Sequence, residues 1–376
     1  KFIMKLYKLL LFAVVFSIFS CETTKEKKDA TAISENVTTE NSFEFGVWTT
    51  ASNEKSNEEY AKEFEKYKFA GIDEVLINTG TDPELLRRIT PIATEKGLKV
   101  HAWIMAMNRP GDTIALKHPE WYAVSREGKS CFDTRPYVGY YQWLCPTRQE
   151  SRNHVLSLVE GLAKVDGIES VHLDYIRFSD IFLPIGLLPT YNNLVQDEEL
   201  AEYDFCYCDV CVSEFEKIHH KNPKESKNTS IDMEWKQFRL NAVRNVVNDA
   251  YEIVHKYNKN LTAAVFPYPE MADHMVRQRW DKWKINEVYP MIYHGFYNEE
   301  VDWIGFATKQ GVEDVKDKGI GVNTGIYIPD FKSVDEFKQA ILMAKENGAK
   351  GITFFDGPAI TEEFLKAIKE TKENLK

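Results

Sequence analysis

Two short stretches stand out for reactive side chains set close together. VHLDYIRF, residues 171–178, reads as a strand in which Val171, Leu173 and Ile176 supply the apolar weight. Side chains alternate along a strand, so His172 and Asp174 share one face, with Arg177 close behind. A buried carboxylate is costly unless it is paired or used, so Asp174 needs a purpose. DFCYCDVCVSEF, residues 204–215, places Cys206, Cys208 and Cys211 in a C-x-C-x-x-C run. Three cysteines this close cannot all pair with one another in unstrained disulfides. A thiolate-bound Zn2+ takes four ligands in a tetrahedron, and the triplet plus Cys145 or Cys131 would supply them. The competing reading is disulfide bonding. It leaves one thiol over, because five cysteines besides Cys21 is an odd number. Either way the cluster staples the chain and does no catalysis.

The elements that must position these residues alternate regularly from residue 44 onward. Short β-rich runs occur at 43–50, 72–80, 98–107, 168–178, 261–270, 287–296, 319–328 and 349–358. Helical patterns separate them, one with Asp82 as N-cap and Pro83 at the first helical position. An insertion of roughly fifty residues, holding the Cys triplet, separates the fourth strand from its helix at MEWKQFRLNAVRNVVNDAYEIVHKYN. Eight strand–helix units in roughly 330 residues predict a (β/α)8 TIM barrel with enlarged loops and a Cys-rich insertion after strand 4. A doubly wound open sheet fits less well, since no G-x-G-x-x-G or P-loop follows any strand.

In a barrel, active sites sit at the C-terminal ends of the strands. The polar and aromatic residues expected to converge there are Trp48, Thr49, Asn78, Trp103, Asn108, Asp174, Arg177, Glu270, Tyr293, His294, Asn323, Tyr327 and Asp356. The histidines His101, His172 and His294 are too scattered to form a metal-ligand set. No G-x-S-x-G elbow is present for Ser-His-Asp chemistry. Two-carboxylate chemistry remains, in which one acid protonates a glycosidic oxygen and a second carboxylate acts from the other face. Trp48, Trp103, Trp121, Tyr137, Tyr140, Tyr141, Trp143, Tyr268 and Tyr293 fall in or beside the same loops and offer flat walls for sugars. Asp174 is expected to be the nucleophile or base, held ionised by Arg177 or by neighbouring donors. Glu270 ranks first as its partner acid, then Asp356, then Asp180. Trp48, Trp103, Asn108, Arg177, Tyr293, His294 and Tyr327 are the expected substrate contacts. No catalytic cofactor is expected.

Three segments, in order, resemble bacterial glycosyl-hydrolase-like family 10 proteins. They are HPEWYAVSREGKS (118–130), LCPTRQESRNHVLSLVEGLAKVDGIESVHLDYIRF (144–178) and RQRWDKWKINEVYPMIYHGF (277–296). The resemblance implies a TIM-barrel, glycosidase-like enzyme acting on polysaccharide or glycan fragments. It carries Asp174 over as the strand-four acid and Tyr293 as a sugar contact, and leaves the second carboxylate open. The cysteines are similar to a C…C-x-C-x-x-C set that holds a structural zinc in family 42 beta-galactosidases, also barrel enzymes; here that set would be Cys145, Cys206, Cys208 and Cys211.

The N-terminus reads differently. Met4-Lys5-Leu6 opens a basic segment, LLLFAVVFSIF is a short apolar run, and Ile-Phe-Ser-Cys resembles a bacterial lipobox. Residues 1–21 are therefore expected to be a lipoprotein signal ending at Cys21, the lipidation site. Residues 22–43 read as a disordered tether and 44–376 as the barrel domain. The expected place is the bacterial cell envelope, attached to a membrane through the lipid alone. Loss of Lys1, Lys5 and Lys8 with the signal moves the formal charge from -11 to -14. So acidic a body argues against nucleic-acid partners. A glycan-binding surface lipoprotein without catalysis is the alternative; it would keep the aromatic wall and need no paired carboxylates.

Overall fold

The computed structural model describes residues 43–192 and 194–375. Cys21, the expected signal and nearly all of the expected tether lie outside the described residues. Eight parallel strands close into a barrel, each paired with the next and the eighth with the first. They are β1 (Glu44–Thr50), β2 (Glu74–Asn78), β3 (Lys99–Met105), β4 (Ser170–Asp174), β5 (Asn260–Val265), β6 (Glu287–Pro290), β7 (Gly321–Tyr327) and β8 (Gly351–Phe355). The TIM barrel is thus the observed architecture. No helix among the described residues is long and apolar enough to cross a membrane.

The surrounding helices start where local chemistry dictates. Helix α1 (Asn57–Phe69) begins with a capping box between Ser56 and Glu59. Helix α2 (Pro83–Glu95) has Asp82 as N-cap, accepting from the amides of Glu84 and Leu85, with Pro83 at its first position. Helix α3 (Gln149–Ala163) follows β3 after a long loop, and α4 (Asp209–His219) lies inside the insertion. Helix α5 (Met233–His255) is the expected long helix after the insertion.

Two boundaries differ from the sequence reading, and both matter for the site. Strand β4 stops at Asp174, because Tyr175 adopts a left-handed backbone with φ 50° that turns the chain away. Arg177 therefore stands in a loop. Strand β5 stops at Val265, and Pro269 opens helix α6 (Pro269–Val276). Glu270 is consequently a first-turn helix residue, where a proline at the first position is favoured, and not a strand terminus.

Inside the barrel, Trp48, Leu76, Trp103, Ala264 and Tyr289 pack as one apolar layer. Gly325 makes room for it: a Cβ there would stand 2.7 Å from the Trp48 ring and 2.9 Å from the Pro290 carbonyl. Below this layer lies a buried polar network. His101 pairs with Glu74 at 3.2 Å and with Ser170 at 2.7 Å, and Ser170 reaches Thr262 at 3.2 Å. Burial opposes the charge on both members of the His101–Glu74 pair. Their mutual attraction outweighs it, raising the His101 pKa and lowering that of Glu74.

Candidate active site

At the C-terminal ends of the strands lies a chamber of about 330 Å3. Asp174, Asp180 and Arg177 line it among aromatic side chains that include Trp48, Trp103, Tyr141, Tyr293 and Phe355. Two inward residues of β4 each receive an indole N–H. Trp103 Nε1 donates to Asp174 Oδ2 at 3.2 Å, and Trp48 Nε1 donates to His172 Nε2 at 3.1 Å. An indole nitrogen can only donate, so His172 keeps its proton on Nδ1 and gives it to Thr262 Oγ1 at 2.9 Å. Burial, reinforced by His101, holds the His172 pKa well below the ordinary imidazole value. His172 is thus a neutral acceptor that orients Trp48 and ties it to the polar network below.

Asp174 is buried and its carboxyl is pushed up to about 6. Burial outweighs the three influences that favour its charge: the Tyr175 amide at 2.6 Å, the Arg177 charge and the Trp103 indole. Arg177 and the neighbouring donors, expected to hold Asp174 ionised, favour its charge but do not overcome its burial. Arg177 directs its guanidinium to Asp180 at 3.2 Å, to the Phe178 carbonyl at 2.9 Å and to the Tyr141 hydroxyl at 3.4 Å. It lies over the faces of Trp143, Phe266 and Tyr175, within 4.9 to 5.3 Å of their centres. The turn at Tyr175 carries Arg177 past Asp174, and the third-ranked carboxylate, Asp180, becomes its partner.

Other expected site residues sit elsewhere. Glu270 is solvent-exposed, outside the chamber, with Arg279 at 3.7 Å. Asp356 caps the short turn Gly357–Ala359 by accepting from the Ala359 amide, and it is Phe355 beside it that lines the chamber. His294 packs on Phe331 at 5.0 Å, away from the lining. Tyr327 stands behind the wall, 5.6 Å from Tyr293 and 5.8 Å from Phe355. Asn108 is fully buried in an adjoining cavity, its Oδ1 accepting from the Gln142 amide at 2.7 Å. Asn323 lies early in β7 and donates to Glu287 at 2.8 Å. Trp121 and Tyr137 brace loops by stacking on His118 and Tyr203. Sequence reasoning missed Tyr175, Phe266, Tyr297 and Phe355 as chamber residues. For Phe355, period-two alternation up the last strand was the available signal.

The cysteines come together as a set. Cys145, Cys206, Cys208 and Cys211 are all buried, with their sulfurs within 4.8 Å of one another. All four are free thiols, and Cys145 stands 3.4 Å from Cys211 and 3.6 Å from Cys208. Four sulfurs placed about 2.3 Å from a central Zn2+ would be about 3.8 Å apart, which this arrangement fits. Cys131 stands outside the set, its thiol pushed up to about 12 by burial. The cluster ties the loop before α3 to the insertion. These two segments also supply Tyr140 and Tyr141, and Leu183, Leu187 and Tyr191, to the chamber wall.

Solved structures with this fold include several glycoside hydrolases. The PgaB (BpsB) glycoside hydrolase domain from Bordetella bronchiseptica aligns with TM-score 0.61 at 11% identity, over 89% of this chain and 98% of that one. The catalytic domain of a beta-amylase from Paenibacillus polymyxa aligns with TM-score 0.60 at 10% identity, over 89% and 99%. An endo-beta-1,4-mannanase from Thermotoga petrophila aligns with TM-score 0.54 at 11% identity, over 89% and 77%. At such identities the likeness is one of fold. No curated protein matches the chain in sequence. The family assignment comes from the sequence model of glycosyl hydrolase-like 10, which matches residues 25–340: the chain belongs to that family.

Proposed function

We propose that the chain hydrolyses glycosidic bonds in a poly- or oligosaccharide, with Asp174 as general acid. The observation that carries this reading is a buried carboxyl tuned to about 6, in an aromatic chamber beside a second carboxylate. An acid of that strength still holds a proton in a useful fraction of molecules near neutral pH. Asp174 would give this proton to the bridging oxygen as the bond to the anomeric carbon breaks and its electron pair leaves with that oxygen. Asp180, ion-paired with Arg177, is the second carboxylate. It acts as nucleophile or as base toward water on the opposite face of the sugar. The acid's role thus moves from Glu270, which takes no part, to Asp174, and Asp180 takes the role expected of Asp174.

A hydrolysis screen of neutral and acidic glycans tests the reading. The active glycan should be cleaved progressively more slowly as pH rises through about 6, where Asp174 loses its proton. Glu270→Gln should keep turnover within about twofold, as for an exposed side chain remote from the reacting atoms. Binding with no cleavage of any glycan would favour the non-catalytic alternative.

The lipobox-like Ile-Phe-Ser-Cys supports attachment to the envelope membrane through acylated Cys21. Cys21→Ser should then shift the protein from the membrane fraction to the soluble fraction, and an unmoved variant would refute the anchor. The four clustered thiols support one structural Zn2+, which would hold the insertion against the barrel.

A further inference from the structure

A second cavity of about 340 Å3 adjoins the chamber, and Met105 lines both. Met105 ends β3 in register with Asp174 on β4, so this cavity begins one side chain away from the proposed acid. Its wall joins the end of β2, the loop after β3 and the face of α3.

The charges there are already spent on one another. Arg109 gives Nε and Nη2 to Asp112 Oδ2, at 3.0 and 2.7 Å, and Nη1 to the Met105 carbonyl at 3.0 Å. His154 Nε2 stands 2.8 Å from the same Asp112 oxygen. What remains for a ligand is neutral. Asn78 offers an amide, Thr81 and Thr113 offer hydroxyls, Ile114 and Leu158 offer apolar surface, and Asn108 stands buried in the wall behind them. The Asn108 Nδ2 is buried with no partner among the described residues. A sugar ring presents a rim of hydroxyls and faces of C–H groups, which matches a wall mixing neutral donors with apolar side chains.

We propose that this cavity is a further sugar subsite of the same cleft, and that the substrate is an uncharged linear glycan longer than a disaccharide. The chain of sugars would run from the aromatic chamber across Met105 toward Asn78 and Arg109. This inference rests on the glycoside-hydrolase reading and adds the length and charge of the substrate.

The test is an array of neutral glucan, mannan, galactan, xylan and N-acetylglucosamine backbones, with matched acidic ones, each printed as di- and hexasaccharide. The probe is the fluorescently labelled full chain carrying Asp174→Asn, so that bound glycans survive. On the backbone that binds, the hexasaccharide should be held about tenfold or more tightly than the disaccharide. Adding Thr113→Trp, at an exposed loop position that fills the cavity, should bring that ratio down to about one. Asn78→Ala should lower it in the same direction, and melting curves confirm that each variant is folded. A hexasaccharide advantage that survives Thr113→Trp in a folded protein overturns the subsite. So does equal binding of both lengths, or a preference for acidic backbones, while the hydrolase reading stands. If no glycan of any length binds, the hydrolase reading itself falls, and the subsite with it.

Discussion

At pH 7.5 Asp174→Asn should melt above the unmodified protein, and at pH 5, where the acid holds its proton, it should cleave its glycan about 100- to 10,000-fold more slowly. The two effects share one cause. Burial raises the Asp174 pKa from an ordinary 3.8 to about 6 in the folded protein. A carboxyl whose folded pKa is raised costs stability wherever it must ionise. The cost is absent below the unfolded value, grows between the two, and is complete above the folded one. About two pK units correspond to about 3 kcal/mol at pH 7.5, and to almost nothing at pH 3.5. Asparagine removes the charge but keeps only one acceptor for the Tyr175 amide and the Trp103 indole, which now both donate to the carboxylate. A net gain of about 1–3 kcal/mol is therefore expected near neutrality, fading on acidification. Melting curves at pH 3.5 and 7.5, with single-turnover cleavage at pH 5, measure both effects. A variant that cleaves at the original rate would show that Asp174 closes the barrel mouth and does nothing more, and one that melts lower at pH 7.5 would show that the lost acceptor outweighs the relieved ionisation.

Metal removal should have the second large effect. Protein purified without chelator is expected to carry about one zinc per chain, as a four-thiolate site requires. Stripping it, or introducing Cys208→Ser, should lower the melting temperature by about 10 °C or more. Structural zinc sites bind with apparent free energies of about 10–16 kcal/mol in small domains, and a zinc held by these four thiols would contribute part of that to folding. The consequence should reach the chamber. Cys145 anchors the segment bearing Tyr140 and Tyr141, while Cys206, Cys208 and Cys211 anchor the insertion bearing Leu183, Leu187 and Tyr191. Loosening both should weaken glycan binding more than it slows the chemical step at Asp174. Cys131→Ser, whose thiol lies outside the cluster, should change neither metal content nor binding. Elemental analysis showing no metal, together with mapped disulfides among Cys145, Cys206, Cys208 and Cys211, would remove the site.

Much of this architecture was legible in the sequence because its determinants are local. Eight alternations of strand and helix periodicity announce a barrel. The cap formed by Asp82 and Pro83 marks a helix start with residues only a few positions apart. The C-x-C-x-x-C run brings three thiols together by spacing alone, and the position of Asp174 on an apolar strand marks it as unusual. What the tertiary structure alone decided is which partner each group finds. Whether Arg177 meets Asp174 or Asp180 depends on a left-handed turn at Tyr175, a residue whose type does not announce that conformation. Whether Glu270 ends a strand or opens a helix depends on where β5 stops pairing with its neighbours. Y-P-E serves as a strand exit or a helix start equally well. The choice of Cys145 over Cys131 depends on the path of a long loop. The chamber around Asp174 depends on Trp103 and Phe355 arriving from strands about 70 and 180 residues away along the chain. Periodicity is written by neighbours in sequence. A pKa is written by neighbours in space, and closing the barrel is what makes these residues neighbours.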